Sequence, residues 1–390
     1  MTVGWEDSGD TGGSSGLIRR SVLWVATGLG LLAAISLLRN RQTLGKSTSV
    51  CAFSGIYNFG DSNSDTGSFS AALLPVASPN GRTFFGKPSG RFSDGRLIID
   101  FIAENLGLQY LPAYLDSFGV DFRHGANFAS AGSTIQRVCV NTCMVYNPFS
   151  LDVQLLQFEQ FQLRSIETNR QGSESFSRAL YTIDSGQNDL TAGIGSSRNM
   201  EEVKADIPRI LDQFSVALEK LYKLGARAFW IHNTGPIGCL PYFVVGHRTA
   251  DRSNTDSNGC IKSYNEVAQE FNKQLKDRII DLRSQLRDAI LIYVDIYSVK
   301  HSLISNRNNN GFRHPLGYCC GRLVVVGCGG KTMWNGTEVY GNSCRNPSEY
   351  ISWDGTHYTE AANKWISSRI LDGSFSEPKV PIGEACFRTS

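Results

Sequence analysis

The chain has no excess of charge of either sign. Its 38 lysine and arginine residues nearly balance 36 aspartate and glutamate residues, which leaves a formal net charge of +2. The sequence also lacks a concentrated block of basic residues and any nucleic-acid-binding motif. Because proteins that bind polyanions present a basic patch or stripe, we predict no nucleic-acid partner.

The cysteine spacing of a common zinc site is missing as well. Ten cysteines are present, and six of them lie in two clusters: Cys139 and Cys143, then Cys319, Cys320, Cys328 and Cys344. The second cluster contains no C-x-x-C pair, so zinc is the weaker interpretation. An even number of cysteines favours disulfides in a secretory compartment without fixing their pairing.

Ser62 directly follows a short apolar segment. The preceding stretch from Ala52 to Phe59 is rich in aromatic residues and includes the β-branched Ile56. It predicts a buried strand, which Gly60 lets the chain leave tightly. In a parallel α/β sheet, ligands bind just beyond the carboxyl ends of the strands. Ser62 is therefore a candidate for an exposed nucleophile, with an ordinary polar turn as the alternative.

A candidate base and its partner lie near the other end of the chain. Asp354 and His357 are three positions apart, and on a turn or at a helix start both side chains can share one face. A carboxylate in that position holds the imidazole tautomer and stabilises the imidazolium that forms when the histidine takes a serine proton. Taken alone, such a pair is more often two exposed polar residues or a helix cap, so its weight comes from the partners found elsewhere in the chain.

Two further segments predict donors for an oxyanion. Gly132 follows a strand-like segment in a form that exposes a backbone N–H, and Asn188 brings a side-chain amide to the end of another strand. Ester hydrolysis needs such fixed donors where negative charge develops, each contributing roughly 3–4 kcal/mol. Each residue is also compatible with a plain turn.

In chain order, the segments GDSNSDTG, NFASAG, GQND and DGTH resemble the four signature blocks of the GDSL or SGNH esterase/lipase family, in the form typical of plant members. The resemblance runs from about Ala52 to about Ile370. Asn63 stands where many relatives have leucine. The implied roles are nucleophile and backbone donor for Ser62, backbone donor for Gly132, side-chain donor for Asn188, base for His357, and partner of that base for Asp354.

Other serine hydrolases fit these residues less well. The α/β-hydrolase elbow requires glycine two positions after the serine, where this chain has Ser64. The close spacing of Asp354 and His357 also differs from chymotrypsin and subtilisin, whose triad partners are widely separated. The segments Gly90–Arg96 and Asn105–Leu108 are similar to the nodulin-like and fucosidase-like plant subgroup.

The rest of the chain predicts alternating strands and helices around one core. Hydrophobic residues make up 41% of the chain, enough for a single large domain. Helical periodicity extends from Asn199 to Gly225 and from Ile261 to Leu286, and buried strands are predicted at Ala226–His232 and Ala289–Ile296. This alternation favours a parallel sheet, and the family resemblance implies a three-layer α/β/α flavodoxin-like SGNH-hydrolase fold.

The amino-terminal region predicts a membrane segment. Ser21 to Leu38 is uncharged and flanked by arginines, and it just reaches the length of a short membrane span. We favour an uncleaved type II anchor in a Golgi membrane over a cleaved signal peptide and a secreted enzyme. The predicted domain organisation is a disordered cytosolic tail at 1–20, the anchor or signal peptide at 21–38, a stem at 39–50 and the hydrolase domain at 51–390. The sequon Asn335-Gly336-Thr337 is accessible to glycosylation in the same pathway.

These features together predict a metal-free serine carboxylester hydrolase that needs no cofactor. Its predicted substrate is an O-acetylated cell-wall polysaccharide, xylan or its side chains, because of the predicted location and the polar, aromatic segments Asn306–Tyr318 and Met333–Tyr350. A lipase acting on lipid or small-molecule esters is the alternative within this class. Alternatives from other classes are a fucosidase-like glycosidase, which needs paired carboxylates, and a catalytically inactive binding or defence protein.

Overall fold

Short strands alternate with helices along most of the chain. A computed structural model describes residues 51–137, 147–196, 198–247, 252–306 and 311–386. The strands are β1 (Ile56–Gly60), β2 (Gly125–Asn127), β3 (Leu180–Asp184), β4 (Ala228–His232), β5 (Ile290–Val294), β6 (His314–Tyr318), β7 (Lys331–Trp334), β8 (Thr337–Tyr340), β9 (Tyr350–Ser352) and β10 (Ser376–Glu377).

Helices connect many of these strands and pack on both faces of the central sheet. The α-helices are α1 (Ser68–Ala72), α2 (Ile98–Asn105), α3 (Leu151–Glu167), α4 (Ser173–Ser177), α5 (Gln187–Gly195), α6 (Met200–Ala205), α7 (Ile207–Lys223), α8 (Pro241–His247), α9 (Lys262–Gln285), α10 (Ile296–Ser305) and α11 (Glu360–Ile370). Short 3₁₀ turns occupy Ile237–Cys239, Arg252–Asn254, Pro347–Glu349 and Ile382–Glu384.

The central sheet has the strand order β10-β5-β4-β3-β1-β2. Strands β1 to β5 are parallel to their neighbours, and β10 pairs antiparallel with β5 at one edge. The parallel part therefore follows the order 2-1-3-4-5 that is typical of flavodoxin-like folds. This arrangement confirms the predicted α/β fold.

Residues of one strand alternate between the two cores of the molecule. In β4, Phe229 and Ile231 belong to the core that includes α3, α7 and α9, whereas Ala228 and Trp230 belong to the core that includes α2, α10 and α11. Because successive side chains of a strand point to opposite faces, a sheet buried on both sides needs apolar residues at every position. The result is three layers, with the sheet between two layers of helices.

The long helix predicted between Asn199 and Gly225 is two helices. Asn199 does cap the first of them, because its side chain accepts the backbone N–H of Glu202 at 2.9 Å while the Glu202 carboxylate accepts that of Asn199. The chain then starts again as α7, with Pro208 in its first turn. Proline has no N–H for a continuous helical ladder, so the prediction of a single helix was wrong at this point.

Four disulfides form within the described chain, and the first joins its two ends while the others close short loops: Cys51–Cys386, Cys239–Cys260, Cys319–Cys344 and Cys320–Cys328. The cluster of four cysteines is therefore paired as disulfides, and the zinc alternative for it is wrong. Cys139 and Cys143 lie outside the described residues. Asn335 is exposed at the turn between β7 and β8, a position accessible to a glycan.

The predicted tail, membrane segment and stem, residues 1–50, lie outside the described part of the chain. Their assignments, and with them the domain boundaries, stay predictions. Within the ranges that the structure does describe, no helix combines the length and the apolar character that a membrane crossing requires.

Candidate active site

Asp354 and His357 form a hydrogen-bonded pair on a tight turn. Asp354 Oδ2 lies 2.6 Å from His357 Nδ1, and Asp354 Oδ1 accepts the backbone N–H groups of Thr356 and His357 at 3.0 and 2.8 Å. Burial opposes both charges and is the largest single effect, but the opposite charge and the hydrogen bonds together outweigh it, so the pKa of Asp354 is lowered and that of His357 is raised. The carboxylate thus fixes the imidazole and favours its protonated form.

The segment Gly90–Arg96, noted above only for its similarity to a plant subgroup, holds this turn in place. The Phe92 ring packs 5.1 Å from the His357 ring, centroid to centroid. The hydroxyl of Ser93 donates to the carbonyl of Tyr358 at 3.0 Å, and the backbone N–H of Glu360 donates to Asp94 at 2.7 Å. Contacts on both sides of His357 therefore restrict its orientation.

Ser62 lies one turn beyond the end of β1, as predicted, but it is only 6% exposed. The neighbouring Asp61 carboxylate explains the difference, because it accepts both the backbone and the side-chain N–H of Asn63 at 2.9 Å and folds the turn against the sheet edge. Among the described residues, nothing accepts the backbone N–H of Ser62. This N–H is free for a ligand.

Gly132 lies in a loop that is tied to the Ser62 turn. Its φ of 80° is in the left-handed region, which favours glycine. The preceding residue, Ala131, donates its N–H to Asp65 at 2.8 Å. No acceptor for the Gly132 N–H occurs in the described ranges, so the segment offers a second free backbone donor.

Asn188 joins these two segments. It lies in the first turn of α5, directly after β3, rather than in an irregular turn. Its side-chain amide donates to the carbonyl of Ser133 at 2.8 Å and to the Asp61 carboxylate at 3.2 Å. The structure therefore brings the segments of Ser62, Gly132 and Asn188 together at the carboxyl ends of β1 and β3.

His357 interacts with this group electrostatically rather than through a direct hydrogen bond. No hydrogen bond joins Ser62 to His357 in the part of the chain that is described, but the Asp61 charge contributes to the raised pKa of His357. Catalytic hydrogen bonds are often long before substrate binds. Ser62, Gly132 and Asn188 therefore share one sheet edge, the Asp354–His357 pair lies within electrostatic range of Asp61, and the roles of all five residues stay predictions.

Sequence reasoning missed several residues that support this site. Gln154 on α3 accepts the N–H of Gly60 at 2.9 Å and donates to the carbonyl of Gly60 and the hydroxyl of Ser133 at 2.9 and 2.7 Å. Asp189 accepts the N–H groups of Ile135 and Gln136 at 2.9 and 3.1 Å. Asp189 is the last residue of the GQND segment and could have been found there. Gln154 lies in no recognisable sequence motif.

The family model for the GDSL-like lipase/acylhydrolase domain matches residues 56–370 of this chain. A GDSL esterase/lipase of Arabidopsis thaliana is 49% identical over 354 residues, which are 87% of this chain and 90% of the relative. The protein named alpha-L-fucosidase 3 of the same plant is 48% identical over 366 residues, 88% and 97% of the two chains. An esterase of Hevea brasiliensis is 46% identical over 379 residues, 92% and 95%.

The matched residues span the whole central sheet except its edge strand β10, and they include every block on which the site is built. The relatives also match over nearly their full lengths. The chain therefore belongs to the GDSL-like lipase/acylhydrolase family, and it is a carboxylester hydrolase.

Proposed function

We propose that Ser62 is the nucleophile of this enzyme and that its own N–H, the N–H of Gly132 and the amide of Asn188 hold the oxyanion. The observation that carries this proposal is the pair of backbone donors without acceptors in the described structure, on segments that the Asn188 amide ties together. Backbone N–H groups that lack an acceptor are available to bind an anion. Two of them beside a serine support a preorganised anion site.

The reaction follows from these positions. His357 takes the proton of Ser62 as the serine oxygen attacks the ester carbonyl, and Asp354 stabilises the imidazolium. The tetrahedral intermediate collapses to an acyl-enzyme while His357 returns the proton to the departing alcohol. A water molecule, deprotonated by His357, then attacks the acyl group and releases the acid with Ser62 restored. Asn188 would exchange its longer bond, to Asp61, for one to the oxyanion.

We further propose that the substrate is an acetyl ester of a cell-wall polysaccharide, xylan or its side chains. Tyr242 is 50% exposed, and its N–H donates to the carbonyl of Gly355 in the His357 turn at 3.0 Å. An aromatic ring beside the site supports stacking on a sugar.

The carboxylates near Ser62 argue against a glycosidase, which needs two of them facing a sugar bond. Asp354 is bonded to His357 and Asp184 lies 3.2 Å from His232 Nδ1. Asp61 is fully buried. Each is engaged inside the protein, so we expect no cleavage of a fucoside, although one relative carries the name of a fucosidase.

The proposed location is the secretory pathway, with a Golgi membrane favoured over secretion. Four disulfides among the described residues fit an oxidising compartment, and the exposed sequon at Asn335 fits the same route. The anchor itself rests on the uncharged stretch from Ser21 to Leu38.

The experiment is a substrate panel with the full chain purified from a plant secretory system. We would measure acetate release from acetylated xylan, hydrolysis of p-nitrophenyl acetate and of a long-chain acyl ester, and cleavage of an aryl fucoside. Ser62→Ala serves as the control for each substrate. We expect Ser62-dependent turnover of both acetyl esters, with the polysaccharide preferred over the long-chain ester.

Two outcomes would correct the proposal at different levels. A clear preference for the long-chain ester would reject the polysaccharide substrate and leave the serine mechanism standing. Fucoside cleavage that survives Ser62→Ala would instead reject the proposed chemistry.

A further inference from the structure

A cluster of titratable groups lies next to the turn that carries Ser62. Its members are Asp61 after β1, Asp184 at the end of β3, His232 at the end of β4 and Lys300 on α10, and the exposed fractions of Asp61, His232 and Lys300 are 0%, 5% and 2%. Burying a charge costs several kcal/mol unless other groups compensate it. We call these four residues the buried cluster.

Lys300 is held by specific packing. Its ammonium nitrogen lies 4.4 Å from the ring centroid of Tyr358, the neighbour of His357, in a cation–π contact. Its stem passes Gly235, where a Cβ would come within 2.9 Å of Lys300 Cδ. The φ of Gly235 is outside the left-handed region, so the backbone does not require glycine there. Glycine is favoured at this position because the lysine stem leaves little room for a Cβ.

Hydrogen bonds connect the two acidic residues of the buried cluster to each other and to Asn188. Asp184 accepts the backbone N–H of Asp61 through its carbonyl at 3.2 Å, and its carboxylate lies 3.2 Å from His232 Nδ1. The Asp61 carboxylate accepts from Asn188 at 3.2 Å. In the described ranges no carboxylate forms a salt bridge with Lys300, whose charge instead acts on Asp184 and Asp61 at longer range.

Two carboxylates therefore lie close to the position at which the reaction would create a negatively charged oxyanion. Asp61 and Asp184 lie near one another, and an oxyanion would form at the Asn188 amide that Asp61 already contacts. Like charges in a water-poor site repel strongly. Burial, followed by the Asp184 charge, raises the pKa of Asp61 to about 7, which agrees with a carboxylate that is hard to keep ionised.

We propose that Lys300 is a positioning residue for ester hydrolysis, whose buried ammonium offsets the two carboxylates beside Ser62 and thereby keeps Asn188 and His357 in their working state. This role rests on the proposed function, since it assigns Ser62, Asn188 and His357 to the reaction. Lys300 acts through these residues and does not itself touch the substrate.

The cluster predicts how the pH profile responds to charge removal. The charged groups that act on the His357 imidazole are Asp354, Asp61 and Lys300. Burial lowers its pKa, the two carboxylates raise it and Lys300 lowers it, with a net increase. Since only neutral His357 accepts the serine proton, activity falls as pH decreases through that pKa. Removing Lys300 moves this acid limb to higher pH, and removing the Asp61 charge moves it to lower pH.

The test uses the full chain with Lys300→Met, Asp61→Asn and the control Lys220→Met. Lys220 pairs with Glu159 at 2.8 Å on the helical surface, so its loss should leave the profile unchanged. We would measure kcat and KM on p-nitrophenyl acetate against pH, and the rate of active-site labelling by a fluorophosphonate. Labelling rates refer only to folded sites, so partial misfolding of a variant does not distort the profile.

We expect Lys300→Met to lower kcat with little change in KM and to raise the midpoint of the acid limb by roughly half to one pH unit. Asp61→Asn should lower that midpoint. If Lys300→Met does not fold, Gly235→Ala displaces the stem, keeps the charge and should give a smaller shift to higher pH. A wild-type profile in the Lys300 or Gly235 variant, with Ser62-dependent activity present, overturns the proposal for Lys300. Loss of Ser62 dependence in the wild type overturns the proposed function and this role with it.

Discussion

The side-chain amide of Asn188 donates to the Asp61 carboxylate at 3.2 Å, which ties the first turn of α5 to the residue before Ser62. The second N–H of the same amide donates to the carbonyl of Ser133 at 2.8 Å. Both hydrogens are thus engaged before substrate binds. An oxyanion would displace the weaker bond, so the geometry of Asp61 determines how easily Asn188 becomes available.

We predict that Ser62→Ala reduces ester hydrolysis by at least roughly a thousandfold without unfolding the enzyme, because only one hydroxyl is lost. Fluorophosphonate labelling should disappear with the activity. The measurement is kcat/KM together with the thermal unfolding midpoint. A variant that keeps most of its activity would mean that another residue is the nucleophile.

We predict that activity declines on the acid side, with a midpoint above the usual histidine value, because the pKa of His357 is raised. Asp354→Asn removes the negative charge that raises this pKa, so the midpoint should move to lower pH while kcat falls by roughly a thousandfold or more. Profiles of kcat/KM between mildly acidic and alkaline pH decide this. An unchanged midpoint in Asp354→Asn would show that another group controls the acid limb.

We predict that Gln154→Leu lowers both stability and kcat. The substitution leaves the N–H of Gly60 without a partner, at a cost of roughly 1–3 kcal/mol in the free energy of unfolding, while the Gly60 carbonyl keeps the N–H of Ser130 at 3.1 Å. It also releases Ser133 beside the Gly132 loop. Gln162→Leu is the matched control on the same helix, since the Gln162 side chain donates to the carbonyl of Leu224 at 2.7 Å and, among the described residues, to no group of the site. It should cost stability alone, and equal kcat losses in the two variants would contradict the role of Gln154.

We predict that loss of the Cys320–Cys328 disulfide lowers kcat, whereas loss of the Cys51–Cys386 disulfide lowers stability. Cys319 and Cys320 both donate their N–H to the carbonyl of Trp353, at 2.8 and 2.6 Å, so the double variant Cys320→Ser/Cys328→Ser should lower kcat by loosening the His357 turn. Removing Cys51–Cys386, which spans 335 positions, should cost more stability, on the order of 4 kcal/mol or more, with kcat unchanged for the folded enzyme. Urea titrations and kcat per labelled site separate the two effects, and the reverse pattern would refute this division.

We predict that the segment from Ser21 to Leu38 keeps the chain in a secretory membrane. A fusion expressed in plant cells should resist carbonate extraction, carry endoglycosidase-sensitive sugar at Asn335 and retain an amino-terminal tag. Asn335→Gln is the control for the sugar. A soluble secreted form that starts near residue 40 to 50 would establish a cleaved signal peptide instead.

The sheet and the positions of the predicted site residues were accessible from the sequence because they depend on local patterns. Strands such as Ala228–His232 are apolar runs of the right length, and Ser62, Gly132 and Asn188 each follow such a run. Parallel strands bring their carboxyl ends to one edge. Residues that follow different strands are therefore predicted to meet even when more than a hundred positions separate them.

The supporting residues were not accessible in this way. Gln154 bonds a residue 94 positions away, and in the sequence it is an ordinary polar residue of a helix. Lys300 and His232 carry no motif, and their meaning depends on burial beside Asp184. Nothing local distinguishes a buried lysine from a solvated one, since the difference arises only when α10 packs against the sheet.

The Cys51–Cys386 bond has a consequence for how the molecule responds to proteases. It joins the two ends of the described domain, so a single cut in any surface loop between them, including the hairpin turn at Asn335, leaves both fragments in one covalent molecule. Nicked enzyme would migrate as intact protein without a reductant and as two pieces with one. In an extracellular or lumenal environment rich in proteases, damage to one loop would not by itself release part of the catalytic domain.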